Sequence, residues 1–177
     1  MQYGHPALRQ KAAPVHRSSE DVTALVERMM SLMRDARGLG LAANQVGIPR
    51  RVAVVEIEET ATVLIDPELV SAEGSETIDE GCLSLPRLYG NVGRPSRVVV
   101  RARDISGKKI QVVGEGLLAR ALCHEIDHLN GKLFIDRADE ATLHWLVGHT
   151  EEGEPIIHPT RLDEALKVFS ATPSSRG

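Results

Sequence analysis

Two cysteines, Cys82 and Cys123, are the whole thiol content of this 177-residue chain, too few for a disulfide framework. A chain of this length buries a core without covalent staples, so the pair points to a reducing compartment where thiols stay available as ligands. A cationic surplus is also missing: 21 Lys and Arg stand against 25 Asp and Glu, for a formal charge of -4. Sequence-specific nucleic-acid binding therefore has no electrostatic support. No run approaches the ~18 apolar residues that a membrane span requires. The opening Met1-Gln2-Tyr3-Gly4-His5-Pro6 lacks the basic-then-apolar pattern of a targeting segment. These absences predict a soluble cytoplasmic protein with one domain.

What is present alternates between two periodicities. Ser18-Ser19-Glu20-Asp21 can cap a helix, and Val22, Leu25, Val26, Met29, Leu32, Met33 and Ala36 then recur at three- and four-residue steps, which predicts a helix over about 20 to 36. Gly38 and Gly40 end it, and Arg51 to Ile57 is rich in branched residues that suit a strand. Further strands are expected at 62 to 66, 97 to 103 and 109 to 113, with Asp104-Ile105-Ser106-Gly107 as the turn between the last two. A second helix, about 115 to 130, stops at Asn130-Gly131. Residues 148 to 155 read as a surface loop, and Thr160 caps a final short helix with Leu162, Ala165, Leu166 and Phe169 inward, ahead of a frayed Ser174 to Gly177. Strands lying between helices favour an α+β fold, with mixed or antiparallel sheets, over a repeating βαβ pattern.

The second helix carries His124-Glu125-Ile126-Asp127-His128. Histidines four apart on a helix point the same way, so both imidazoles reach one ion, while Glu125 is turned aside and left free for a water. The pattern is hydrolytic rather than merely metal-holding. Against it stands a chance match on a solvated helix. Two imidazoles need a third ligand. A metzincin would place histidine at 134, where this chain has Phe134. A thermolysin-like site would draw on Glu140, Glu151, Glu152 or Glu154, of which the last three form an acidic cluster that reads as solvated surface. Cys82 is preferred: its thiolate binds borderline metals strongly, and glycine beside it permits close backbone approach. The alternative is that Cys82, like most free cysteines, is a small buried hydrophobe.

Three segments, Gly38-Leu39-Gly40-Leu41-Ala42-Ala43-Asn44-Gln45, Glu80-Gly81-Cys82-Leu83-Ser84 and the His124 to His128 run, resemble the signature motifs of peptide deformylase in order and separation. The likeness runs from about Tyr3 to Asp136. It implies a compact α+β domain around a central HExxH helix. Residues 1–138 would form the catalytic domain, and 139–177 a C-terminal extension, with a surface loop and short helix, within the same domain. The implied reaction removes formate from the N-terminal formylmethionine of nascent polypeptides.

The resemblance also assigns roles. Cys82, His124 and His128 bind one divalent ion, ferrous iron in the cell, with zinc, nickel or cobalt in purified protein. Glu125 is the general base. Gln45 and the Leu83 backbone N–H stabilise the developing oxyanion. Gly40 lets the loop run beside the substrate like an extra strand, and Glu80 and Gly81 form the opposite wall. Leu39, Leu117 and Ala121 form the apolar pocket for methionine. Partners would be formylated nascent peptides and, transiently, the ribosome, with no membrane.

The chain departs from the family at three positions. Asn44 replaces a usual proline, which frees a torsion and is expected to loosen the loop carrying Gln45. Cys123 replaces glutamine; pointing about 100 degrees from its neighbour, it is expected to pack rather than ligate. Arg120 stands where an apolar residue is usual and would polarise the pocket mouth. Asp127 is expected to make structural hydrogen bonds, and Arg94 to pair with a carboxylate or lie on the surface. His5, His16, His144, His149 and His158 lack ligand spacing and read as surface or capping residues. Trp145 and Phe134 read as packing. A dinucleotide reading of Gly38-x-Gly40-x-x-Ala43 fails because the loop leads from helix to strand, the wrong order for phosphate at a helix N-terminus. Two rivals remain: an HExxH endopeptidase, and a metal-stabilised module that binds formylated peptide without turnover.

Overall fold

The computed structural model describes residues 1–16 and 22–171. In chain order its named helices and strands are α1 (Thr23–Asp35), β1 (Gly40–Ala42), β2 (Val52–Ile57), β3 (Thr60–Glu73), β4 (Glu76–Cys82), β5 (Leu85–Arg94), β6 (Arg97–Arg103) and β7 (Lys109–Glu115). Then come α2 (Gly116–Leu129), β8 (His144–His149), β9 (Pro155–Pro159) and α3 (Leu162–Ala171). Short 3-10 turns at Pro6–Arg9, Ala43–Val46, Phe134–Asp136 and Glu140–Thr142 link them.

Two antiparallel sheets result, one ordered β1-β2-β3-β6-β7 and the other β4-β5-β8-β9. The first explains why β2 does not alternate polar and apolar. Val52 and Val54 face the α1 side, packing with Val26, Met29 and Met33. Ala53 and Val55 face α2, packing with Ala119, Leu122, Ile126 and Leu129. A strand covered on both faces reads as a continuous apolar run. The metal-motif helix is thus the innermost one, laid across a buried sheet. On α1 the inward stripe is narrower than its sequence suggests, for Leu32 is 40% exposed and faces out. The Ser18 to Asp21 cap lies outside the described residues.

β3 is much longer than the expected 62 to 66, because it bends. Register shifts between Ile65 and Glu68 and between Leu69 and Ser71 let its first half pair with β2 and its second half with β6. Asp66, at the bend with φ 52, accepts a hydrogen bond from the Val15 amide at 3.0 Å. The hairpin turn at Asp104 forms as expected: its carboxylate accepts from the amides of Ser106 and Lys108, and Gly107 takes φ 82.

The second sheet holds a third core cluster, with Leu85, Leu88 and Val92 packed on Leu8, Leu133, Phe134, Leu143 and Ala165. Residues 148 to 155 are not simply loop. They close the β8–β9 hairpin, whose first strand adds to β5 at Leu88↔Trp145 and Tyr89↔His144. α3 then folds back with Ala165 buried and Leu162, Leu166 and Phe169 partly so, as its spacing predicts. The Thr160 hydroxyl donates to the Arg161 carbonyl, and the Ala165 amide closes the first turn on that same carbonyl.

Candidate active site

The sheets present edge strands to a common cleft, β1 from the first and β4 from the second. Between them lies a cavity of about 580 Å³. Apart from His128, every residue singled out from the sequence as a site residue lines it. His128 is fully buried at the base.

α2 brings His124 and His128 together one turn apart, with Nε2 atoms 3.1 Å from each other, and the end of β4 places Cys82 Sγ 3.2 Å from the His128 Nε2. All three ligand atoms lie within 4.8 Å of one another. With metal–sulfur and metal–nitrogen bonds of about 2.3 and 2.0 Å, a tetrahedral ion would hold such atoms roughly 3.3–3.6 Å apart. The observed 3.1 and 3.2 Å fall short of that by a few tenths of an ångström, so the donor set fits a borderline divalent cation after a small outward shift. His124 is also oriented for it: Glu80 Oε1 accepts from Nδ1 at 2.6 Å, leaving the Nε2 lone pair for the site. Burial works against charge on both partners, yet the two imidazoles hold the Cys82 thiol well below its usual range, and Cys82 and Glu80 hold His124 well above its own. A thiolate is what a metal ligand must be.

Glu80 is itself braced. Arg94, only 4% exposed, donates Nε and Nη2 to it at 3.0 and 2.7 Å, and donates Nη1 to Asp127 at 2.6 Å. Arg137 clamps the other side of Asp127 with Nε and Nη2 at 2.6 and 2.7 Å. Burial raises both carboxylates, and the surrounding donors override it: Glu80 falls to about 2 and Asp127 below its ordinary value. The expected structural role of Asp127 is therefore met by two arginines. Of the two readings of Arg94, the carboxylate partner is correct and the surface is not.

Glu125 has the opposite surroundings. It is buried, and its Oε2 has no hydrogen-bond partner in the protein. Desolvation dominates, partly offset by the nearby histidines, and lifts its carboxyl to about 7. The space it occupies belongs to Gly40, where a β-carbon would lie 2.9 Å from Glu125 Cδ. The glycine expected to admit a substrate strand thus makes room for the acid as well.

Gln45 sits in the 3-10 turn after β1. Its Oε1 accepts from the Ala42 amide at 2.9 Å, which turns Nε2 toward Ser84 Oγ at 3.1 Å and Cys82 Sγ at 3.6 Å. The loop is not loosened by Asn44. Fully buried, Asn44 donates its amide to the carbonyls of Ala7 and Gln10 at 3.0 and 2.7 Å, tying the turn to the N-terminal segment. Cys123 packs in the α2 cluster, where burial raises its thiol. Arg120 lines the cleft with one buried nitrogen unpartnered. His5 caps, its Nδ1 accepting from the Ala7 amide, whereas His144 is neither cap nor surface: it stacks on Tyr89. Sequence reasoning missed Ser84, whose amide donates to Cys82 Sγ at 3.4 Å, and the second role of Glu80. The Cys-x-Ser spacing was the available signal for the first.

A cysteine and two histidines brought to one point beside a neutral-range glutamate form a candidate metal site suited to hydrolysis, and the model of the polypeptide deformylase family matches residues 1–143. The chain belongs to that family. Among relatives, a peptide deformylase of Caldanaerobacter subterraneus is 50% identical over 134 residues, 76% of this chain and 84% of the other. One from Thermomicrobium roseum is 46% identical over 159 residues, 84% of this chain and 90% of the other. The crystal structure of a peptide deformylase from Legionella pneumophila aligns with TM-score 0.75 at 43% identity, covering 78% of this chain and 84% of that one. That from Thermus thermophilus aligns with TM-score 0.74 at 41% identity, over 78% and 83%. The deformylase is a hydrolase that removes the formyl group from nascent peptides, with a candidate Cys-His-His metal site. Among the described residues no helix is long and apolar enough to cross a membrane.

Proposed function

We propose that residues 1–138 form the catalytic domain, that 139–177 belong to the same domain, and that Cys82, His124 and His128 hold a ferrous ion in the cell. The donor chemistry equally suits zinc, nickel or cobalt, which purified protein would carry. The ion, when bound, supplies Lewis acidity toward water and the formyl oxygen. Glu125 takes a proton from the attacking water as its oxygen bonds to the formyl carbon. The Gln45 amide and the Leu83 N–H donate to the formyl oxygen as charge develops there, donors fixed in advance and so costing no reorganisation. Glu125 then passes the proton to the departing nitrogen, the C–N bond breaks, and formate and a free amine leave. A carboxyl titrating near neutrality can both take and return that proton.

The peptide lies extended between the β1 and β4 edges, with Gly40 on one side and Glu80 and Gly81 on the other, so recognition falls on backbone and admits many sequences. Leu39 and Leu117, 45% and 39% exposed, and the buried Ala121 would take the methionine side chain. The enzyme acts in the cytoplasm, with transient ribosome contact. One observation carries the assignment: three soft and borderline donors within 4.8 Å of one another, beside a buried acid with an unpartnered oxygen.

The test is formate release from formyl-Met-Ala-Ser under anaerobic conditions, with metal content measured in parallel. Release should vanish on chelation and return most strongly with ferrous iron. Cleavage of internally quenched, unformylated peptides would favour the endopeptidase instead, and tight binding of formyl-peptide without product the inactive module.

A further inference from the structure

One face of α2 looks onto the cleft through Leu117, Arg120, Ala121, His124 and Glu125, three and four residues apart. Leu117 and Ala121 belong to the wall read above as the pocket for methionine, and Arg120 stands between them. A long helical side chain leans back over the turn before it, which for Arg120 is the turn of Leu117. Its Nη1 is buried and has no hydrogen-bond partner in the protein. The carboxylates of the cleft do not serve it. Glu80 is held by Arg94 and His124, Asp79 faces His144 at 3.4 Å, and the Glu125 Oε2 is itself without a partner. Arg87, which also lines the cleft, is spent differently: its Nε and Nη2 donate to the carbonyls of Leu146 and Val147. Arg120 is therefore a guanidinium beside an apolar pocket with donor capacity left over.

A buried donor without an acceptor costs free energy that a ligand returns by supplying one. The first side chain of the substrate supplies little in its ordinary form, because a thioether sulfur accepts weakly. Oxidation to the sulfoxide changes that: the side chain keeps its length and gains one strongly polar oxygen. In a wall of leucine and alanine alone, that oxygen would be desolvated without compensation and the oxidised substrate rejected. With Arg120 in the wall, the oxygen accepts from a guanidinium that the sulfur leaves idle.

We propose that Arg120 is a specificity residue that admits N-formylmethionine sulfoxide, so that this enzyme deformylates peptides with an oxidised first residue as well as intact ones. The bond broken is the same formamide C–N bond. The sulfoxide passes through unchanged, so no oxidant or reductant enters. The inference rests on the reading of Leu39, Leu117 and Ala121 as the methionine pocket of the deformylase reaction.

The experiment measures formate release by the metal-loaded full chain from formyl-Met-Ala-Ser, from its methionine sulfoxide form and from formyl-norleucyl-Ala-Ser, in which a methylene replaces the sulfur. The reading is the ratio of kcat/KM, sulfoxide over norleucine, which does not depend on how much of a preparation is active. In Arg120→Met, which keeps apolar bulk and removes the donors, that ratio should fall about ten-fold or more, the scale of one hydrogen bond to a charged group. Arg120→Lys keeps a cationic donor and should retain part of the ratio. A wild-type ratio preserved in Arg120→Met overturns the proposal, because Arg120 then serves all three peptides or the fold alike. A lysine variant no better than the methionine one overturns it too, as does wild-type protein that turns over the other two peptides and not the sulfoxide. If wild-type protein releases formate from none of the three, the failure lies with the proposed reaction itself.

Discussion

Two glutamates, 80 and 125, approach His124 from different elements and end with opposite acidities. Glu80 has Arg94 and the His124 Nδ1 on its oxygens and sits at about 2; Glu125 has an oxygen with no partner and sits at about 7. Both are buried, so burial alone cannot explain the split. The difference lies in donors: the side of the motif helix facing Arg94 is fully compensated, and the side facing the cleft is left unsatisfied. Compensation makes a rigid positioning carboxylate, and its lack makes a proton carrier.

The strongest way to break that contrast is Glu125→Gln, which keeps the shape and removes the base. Formate release should fall about 10²–10⁴-fold, the range for a lost general base. Stability should move the other way. A carboxyl raised from 4.5 to about 7 in the folded state binds its proton more tightly there than in the unfolded chain. Native stability is then lost as pH rises from 4.5 through 7, by up to about 3 kcal/mol in metal-free protein. Glu125→Gln should therefore melt higher than wild type at pH 8 in chelator and close to it at pH 4, measured by thermal unfolding. Equal melting at pH 8 would show that the acid is not strained by its surroundings.

Arg94→Ala attacks the compensated side. It strips donors from Glu80 and Asp127 at once, and an uncompensated buried charge costs about 3–5 kcal/mol. The pH dependence should change with it. Both carboxylates have folded values below their ordinary ones, so their contribution is present above about 4.5 and is lost as pH falls toward 2. Wild type should lose stability over that window, and Arg94→Ala, which leaves His124 on Glu80 and Arg137 on Asp127 but takes one depressing partner from each, should show a somewhat shallower slope in urea titrations across it. An unchanged slope would mean that Arg94 is not what depresses the pair.

The parts of the molecule that were legible in advance are those where local chemistry decides. Histidines four apart on a helix converge by helical geometry alone, and Arg97–Arg103 reads as a strand because its branched residues alternate over a half-buried face. β4 and β5 were invisible for the complementary reason. Runs such as Glu76 to Cys82 and Leu85 to Arg94 carry glycine, proline and charge, and they hold as strands through pairing with each other and through a bulge at Gly81/Cys82. Glu80 looked like cleft wall because its motif neighbours are; its contact with His124, 44 positions away, is a tertiary fact. Asn44 looked like lost rigidity because only its backbone was considered.

That last case gives the smallest expected effect. The Asn44 amide bonds two carbonyls of the N-terminal segment, while its Oδ1 is buried without a partner. Asn44→Ala removes both bonds and also relieves the orphaned oxygen, so the net loss should be about 1–2 kcal/mol, a fall of roughly 2–8 °C in melting temperature for a chain of this size. Asn44→Pro loses the same bonds but restricts the unfolded chain, which returns about 0.4–1 kcal/mol where proline fits the turn. Proline should therefore melt above alanine and below wild type. Should Asn44→Pro melt above wild type, the amide is not a tie, and the loop carrying Gln45 is held instead by the Ala42 amide and Ser84 alone.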